Sequence, residues 1–401
     1  MDGTLSIVIV GAGMYVCGRG TAGYGTILPA VYEWHRKGWR GKLYIAGTRT
    51  TGSAVLQDKV RGLNALYGVD IRPKYFPESR DDLKAYKAAL TAAAKPACAI
   101  IAVPDHLHSE IALAAVSSGL HSLVVKPLAP TVAEVDGLID AQDGTGVYCA
   151  VELHKRLDRS NRKLRNTVAS GRVGDPLYFV VEYSQRKSIP LEQFRTWAAH
   201  VNVFQYLGVH YVDIIQHATG ATPIRASAIG QKIWLVSQGI DTYDAVQALV
   251  EWRAGPGYRF SSSILTNWID PETTSAMSDQ RIKMIGTRGR FEADQKSRGI
   301  RLVTDGEGIE ELNPDFCSVY EDESGTRSFE GYGIDSVLQF LGDAAQVESG
   351  SVSAADFEGR RPTFRSQLAT TAVIEAVNSS LARDGEWVHL DLSGRAAQGS
   401  L

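Results

Sequence analysis

Residues Leu5 to Gly13 read Leu-Ser-Ile-Val-Ile-Val-Gly-Ala-Gly, an apolar run that stops at a pair of glycines. A short run without polar alternation fits a strand buried on both faces. A Gly-x-Gly directly after it lets the chain turn tightly and approach a pyrophosphate. Gly11, Gly13 and Met14 are therefore candidate cofactor-binding residues. The third glycine of a full dinucleotide fingerprint is missing: position 16 is Val16, and the next glycines are Gly18 and Gly20.

Working outward, six glycines fall between positions 11 and 25, before a helical stretch Leu28–Lys37 and a second strand Lys42–Ala46. The acidic ribose-binding residue of such a unit is expected about 20 residues past the glycines. Here the second strand ends well beyond that, on Gly47-Thr48-Arg49, so the phosphate loop is enlarged. Tyr15, Arg19 and Tyr24 in that loop make it either a flap over the cofactor or a surface insertion. Thr48 and Arg49 offer a hydroxyl and a cation where a carboxylate would repel a 2′-phosphate, which favours NADP over NAD. Stacking of Arg49 on the adenine would tolerate either.

Ala97–Val103 is another apolar strand, ended by Pro104-Asp105-His106-Leu107-His108 and followed by a helix over Ser109–Ser118. His121–Val125 is the next strand, ending in Lys126-Pro127, with a helix over Val132–Ala141 and a strand over Gly146–Val151 after it. This alternation predicts a doubly wound parallel Rossmann sheet with ligands at the carboxyl ends of the strands. Val103, Pro104, Asp105, His108 and Lys126 all fall there. After a helix over Asn161–Ser170 the periodicity changes to two. Leu177–Tyr183, Lys232–Val236, Ala245–Trp252, Phe260–Leu265, Arg281–Ile285 and Gly299–Val303 read as strands of an open, largely antiparallel sheet. Helices are expected over Phe204–Thr219, Ile334–Val347 and 363–381. The expected organisation is α/β, with a dinucleotide domain over 1–150 and an α/β domain for substrate and oligomer contacts over 151–401. The helix 363–381 is expected to pack back on the first domain.

At 401 residues the chain exceeds what one core usually serves, which agrees with two domains. A net charge of −3 with interspersed signs gives no electrostatic case for nucleic acid or an anionic membrane. No run approaches the roughly 18 apolar residues of a membrane span, so a cytoplasmic protein is expected. The four cysteines, Cys17, Cys98, Cys149 and Cys317, show no metal-ligand spacing and no metal is expected.

Ala102-Val-Pro-Asp-His-Leu-His108, Val125-Lys-Pro127, Gly171-Arg-Val-Gly174 and Gly208-Val-His-Tyr-Val-Asp213 together resemble the Gfo/Idh/MocA family of sugar and cyclitol oxidoreductases, over essentially the full length. The resemblance implies a nicotinamide domain, a C-terminal α/β domain whose open sheet often mediates dimers or tetramers, and a polyol or sugar substrate between them. It implies Lys126 as the catalytic lysine and His210 as the catalytic histidine, and puts His154, Lys155 and Arg156 in a substrate-binding run. Two departures stand out: Val125 replaces the glutamate usual before the lysine, and Tyr206 stands where the inositol-dehydrogenase branch has an aspartate.

Histidine suits proton removal from an alcohol because its ordinary pKa lies near neutrality. On one helix Tyr206, His210 and Asp213 share a face, so Asp213 is expected to orient the imidazole and Tyr206 to add a phenol hydrogen bond. In the second sheet Trp268 is expected to offer an apolar face to a sugar ring, with Asn267 binding hydroxyls. The leading expectation is an NAD(P)-dependent oxidoreductase acting on a carbohydrate or cyclitol, possibly nucleotide-linked, as a homodimer or homotetramer. Two other classes are compatible: a ligand-sensing protein that kept the fold and lost catalysis, and a lyase or glycosidase that uses the nicotinamide transiently.

Overall fold

The computed structural model describes residues 4–255, 257–306, 308–390 and 392. The chain forms two compact units. The first comprises Met1–Ala129, Ala133–His154 and Asp315–Ser366; the second comprises Pro130–Val132, Lys155–Pro314 and Gln367–Leu401. Residues 315–366 thus group with the first unit, far beyond the boundary expected near 150.

The first unit is organised on six strands: β1 (Ser6–Val10), β2 (Leu43–Ala46), β3 (Lys74–Phe76), β4 (Ala97–Ile101), β5 (His121–Val125) and β6 (Cys149–Glu152). All pairings are parallel and the order is β3-β2-β1-β4-β5-β6, so the chain reverses direction across the sheet between β1 and β4. This is the doubly wound sheet expected, and every residue of β1 and β4 is buried, as their unbroken apolar runs require. Ile7, Ile9 and Ile100 share a core with Ile27 and Val31 of the helix Ile27–Arg36. Ile334, Val337 and Phe340 of the late helix Tyr332–Glu348 complete that core. The Glu33 carboxylate accepts from Tyr67 Oη (2.5 Å) and from the Phe329 N–H (2.8 Å), which ties the returning segment to the first helix of the unit.

The second unit is a sheet of β7 (Pro176–Arg186), β8 (Thr222–Gln231), β9 (Ala245–Ala254), β10 (Tyr258–Asp270), β11 (Ser278–Gly286) and β12 (Gly289–Asp294), in the order β12-β11-β7-β10-β9-β8 with Val388–His389 at the β8 edge. Only β7 and β10 run parallel, so the largely antiparallel expectation holds. Phe179, Val181, Val250, Trp252 and Ile264 alternate inward. They pack with Leu164, Ile214, Ile215, Val373 and Val377 from the helices Arg159–Ala169, Val209–Thr219 and Leu368–Leu381.

Four expectations are corrected. Lys232–Val236 is not a strand; the strand is β8, and Trp234–Ser237 forms a helical turn. The Asp244 carboxylate accepts from the N–H groups of Ile233 (2.8 Å), Trp234 (2.6 Å) and Leu235 (2.7 Å), and satisfying three orphan donors at once outweighs the β preference of Ile-Trp-Leu-Val. Gly299–Val303 does not join the main sheet; Arg301–Thr304 pairs with Gly308–Glu311 in a separate hairpin. The stretch expected as one helix from Phe204 begins with a wide π-turn, Phe204–Gly208, before the α-helix Val209–Thr219. The last helix starts at Leu368, and its Val373, Ala376 and Val377 belong to the second unit's core.

If the Asp244 carboxylate holds the 234–237 turn, Asp244→Ala costs about 2 kcal/mol, the upper range for loss of a helix cap. Urea denaturation checks this: the midpoint falls in Asp244→Ala and falls less in Asp244→Asn, which keeps an acceptor.

Candidate active site

In the first unit the glycine turn begins where β1 leaves the sheet. The Gly11 N–H donates to Ala46 O and the Ala102 N–H donates to Val10 O, both at 2.8 Å. Gly11 has φ +117°, and a Cβ there would lie 2.1 Å from Ala102 O, so no other residue fits where β1 and β4 part. A Cβ at Gly13 would meet nothing within 4 Å, which leaves the backbone open to close approach by a ligand just before the turn Met14–Cys17. The open backbone at Gly13 fits the close approach of a dinucleotide pyrophosphate.

The enlarged loop is pinned down. Lys59 Nζ donates to Thr21 O (2.8 Å) and Gly23 O (2.6 Å), and the Tyr24 ring meets Phe329 edge-on at 6.1 Å. Arg19 is exposed on it. Beyond β2, Thr48 and Arg49 are exposed, and Tyr75 Oη donates to Arg49 O at 2.9 Å. The Asp81 carboxylate accepts from the Thr50 N–H (2.8 Å) and Thr50 Oγ1 (3.0 Å), so an acid does stand beside the ribose-position loop, supplied from the segment after β3. Sequence spacing could not reveal it.

At the end of β4, Asp105 is buried, and both ring nitrogens of the buried His108 face carbonyl oxygens: Nδ1 lies 2.6 Å from Pro127 O and Nε2 2.9 Å from Val103 O. The imidazole therefore clamps the segments that follow β4 and β5, fixing the backbone on which Val103, Pro104, Asp105 and Lys126 stand. Lys126 is 6% exposed. Burial pushes its ammonium down to about 8, against the pull of the Asp105 and Glu152 charges. Glu152, the last residue of β6, was not singled out from the sequence; its signal is an acid closing the otherwise apolar run Tyr148-Cys-Ala-Val-Glu152. His154 Nδ1 lies 3.0 Å from Glu152 Oε2 and 3.4 Å from Tyr15 Oη.

In the second unit, His210 opens the helix Val209–Thr219 and is 3% exposed, its ring 6.3 Å from that of Tyr183. Lys155 Nζ lies over the Tyr183 ring at 5.0 Å and donates to Gln280 Oε1. Tyr206, in the π-turn, packs among Phe194, Trp197 and Trp268. One sequence expectation fails here, and Asp213 has a partner that the sequence did not suggest. The Asp213 carboxylate accepts from Arg156 Nε at 2.8 Å and Nη2 at 2.5 Å, and from Gln367 Nε2 at 3.3 Å, because a buried carboxylate binds the cation within reach. Trp268 offers no face to a sugar: it is 0% exposed in the core, and its Nε1–H donates to Gln185 Oε1. Asn267 Nδ2 donates to Ser184 Oγ, its register partner across β7 and β10, at 2.7 Å. Among the described residues no group of His, Cys, Asp and Glu could hold a metal ion, and no helix is long and apolar enough to cross a membrane.

Two family models match the chain. One, an oxidoreductase family with an NAD-binding Rossmann fold, covers residues 63–153; the other, a Gfo/Idh/MocA C-terminal domain, covers 161–292. Together they span more than half of the chain. The chain is 26% identical over 227 residues to 1,5-anhydro-D-fructose reductase of Ensifer adhaerens, spanning 55% of this chain and 65% of that protein. It is 26% identical over 250 residues to myo-inositol 2-dehydrogenase of Thermotoga maritima, spanning 61% and 72%. Scyllo-inositol dehydrogenase from Lactobacillus casei, solved with bound cofactor NAD(H) and scyllo-inositol, has the same fold with a TM-score of 0.66 over 96% of this chain and 99% of that one, at 14% identity. A Rossmann unit with a Gly11 turn, a Val-Lys-Pro segment at the end of β5, and a second, mixed sheet domain matched by the same family's model leave one assignment: the chain belongs to the Gfo/Idh/MocA oxidoreductase family.

Proposed function

We propose that the protein is an NAD(P)-dependent oxidoreductase that moves a hydride between the nicotinamide and a secondary alcohol or ketone of a sugar or cyclitol, free or nucleotide-linked. The observation that carries this reading is Lys126: a buried ammonium at the carboxyl end of a parallel strand, at the same edge of the sheet as a dinucleotide-type glycine turn and between the charges of Asp105 and Glu152. When bound, the nicotinamide supplies the hydride chemistry. Gly11, Gly13 and Met14 hold the pyrophosphate, with Val103, Pro104, Asp105 and His108 shaping the strand-end wall.

Lys126 donates a hydrogen bond to the reacting oxygen and stabilises the alkoxide charge that develops as the hydroxyl proton leaves. His210 takes that proton, since a neutral imidazole is a competent base near pH 7. Tyr206 contributes a phenol to the same proton traffic, and His154, Lys155 and Arg156 lie in the run that binds substrate hydroxyls.

Turnover read at the reduced-nicotinamide absorbance band across a panel of polyols and keto-sugars tests the assignment. Lys126→Met is expected to lower kcat about 10²–10³-fold, the usual loss for one donor to a developing oxyanion. His210→Ala is expected to lose about 10²–10⁴-fold, with dinucleotide binding retained. Variants that turn over at the wild-type rate would remove both residues from the mechanism.

We also propose NADP as the preferred cofactor, from Thr48 and Arg49 and despite the nearby Asp81. Thr48→Asp is then expected to shift the kcat/KM ratio towards NAD, and an unmoved ratio sinks the preference. The outward face of the second sheet, with Tyr178, Ile229 and Leu249 exposed, supports assembly into a homodimer or homotetramer. Sedimentation equilibrium is expected to give a multiple of the 43.5 kDa chain; a monomer at micromolar concentration argues against it.

A further inference from the structure

β6 ends in a carboxylate that is 1% exposed. An ionised group buried this far costs several kcal/mol unless partners repay it, so its partners reveal its use. The nearest is His154, whose Nδ1 stands 3.1 Å and 3.0 Å from the two Glu152 oxygens. Tyr15 and Ser336 add hydrogen bonds to the same carboxylate. Burial pushes the Glu152 carboxyl up, but the His154 charge and these three hydrogen bonds outweigh it and hold it below the usual carboxylate range. His154 is itself fixed by Tyr332, stacked at 5.7 Å, and Phe316 at 5.3 Å. One anion thus gathers the helical turn after Gly13, the end of β6 and the late helix Tyr332–Glu348.

The sheet register tells what stands beside it. β5 pairs with β6 so that Val125 is the direct partner of Glu152, across a spacing of about 4.8 Å, and Lys126 is the next residue along β5. Asp105 and Glu152 are the two anions whose charge acts on the Lys126 ammonium, from the segments after β4 and on β6.

We propose that Glu152 is a positioning residue: from the strand beside Lys126 its carboxylate serves as counter-charge to the ammonium, while its hydrogen bonds lock Tyr15 of the glycine turn to the end of β6. The assignment rests on the role given to Lys126 above. A purely architectural carboxylate would hold Tyr15 and His154 without altering the proton affinity of Lys126. A counter-charge makes that affinity depend on it. The sign follows directly: removing a neighbouring negative charge destabilises the ammonium, so Lys126 gives up its proton at lower pH.

The experiment is a lysine-selective NMR titration of the dinucleotide-free protein, with the Lys126 resonance assigned by its loss in Lys126→Arg. In Glu152→Gln, which keeps the shape and one acceptor oxygen, the Lys126 midpoint is expected to fall by about one pH unit, the low end for loss of a close opposite charge. Glu152→Asp, with its carboxylate drawn back, is expected to shift it less in the same direction and serves if Glu152→Gln does not fold. Val125→Glu added to Glu152→Gln is expected to restore the midpoint, since position 125 lies opposite 152. In turnover assays the alkaline limb of kcat moves to lower pH with the midpoint. A lowered melting temperature with an unmoved Lys126 titration overturns the proposal and leaves Glu152 architectural. A shifted titration in a protein without turnover on any polyol or keto-sugar upholds it while removing the oxidoreductase reading.

Discussion

The arrangement of the first unit depends on a single close approach. At Gly11 the chain leaves β1 while its N–H still donates to Ala46 O, and Ala102, just past β4, still donates back to Val10 O. The two strands diverge from that point in opposite directions across the sheet. Only a residue without a side chain can occupy it, because the space a Cβ would need is filled by Ala102 O. Since all six strands run parallel and in tight register, the residues that follow them arrive at one edge of the sheet. Asp105, Lys126 and Glu152 follow or end β4, β5 and β6, three successive strands. Two anions flanking one buried cation is an arrangement that limits the desolvation cost of each.

The second unit solves a related problem with a different pair. Arg156 and Asp213 meet in bidentate geometry, so the chain just after β6 is bolted to the middle of the helix Val209–Thr219. His210 lies one turn earlier on that helix. Its backbone is carried by the helix as a rigid body, which the Arg156–Asp213 pair and the apolar core position. Lys155, the neighbour of Arg156, is buried against Tyr183 and Gln280, and the consecutive cations leave in different directions from one short turn.

The features legible in the sequence are those with a local signature. Parallel strands buried on both faces appear as largely apolar runs, and β1, β4, β5 and β6 can be found that way. Lys126 and His210 could be picked out from short motifs. What escaped depends on contacts distant along the chain. β8, Thr-Pro-Ile-Arg-Ala-Ser-Ala-Ile-Gly-Gln, has a proline and a glycine and few β-branched residues, and becomes a strand because β9 pairs along its length. The apolar Ile-Trp-Leu-Val that follows it becomes a turn because of one carboxylate from Asp244. Trp268 sits among polar residues in sequence yet points into the core, since alternation along β10 decides the face and composition does not. Asp81 and Glu152 were hidden because an acid's neighbours, not its type, give it a role.

The placement of residues 315–366 bears on how the protein is made. Phe329, Ile334, Val337, Phe340 and Leu341 fill the same core as β1 and the helix Ile27–Arg36, though more than half the chain separates them. A ribosome adds about 5–20 residues each second, so the strands of the first unit wait on the order of ten seconds or more for the helix that covers them. During that interval β7 to β12 of the second unit's sheet are synthesised, while its last helix, Leu368–Leu381, and the edge strand Val388–His389 have yet to appear. Neither unit can reach its final core before residues 315–381 have been made, so the two mature nearly together, and until then a growing chain carries uncovered apolar surface that chaperones would recognise.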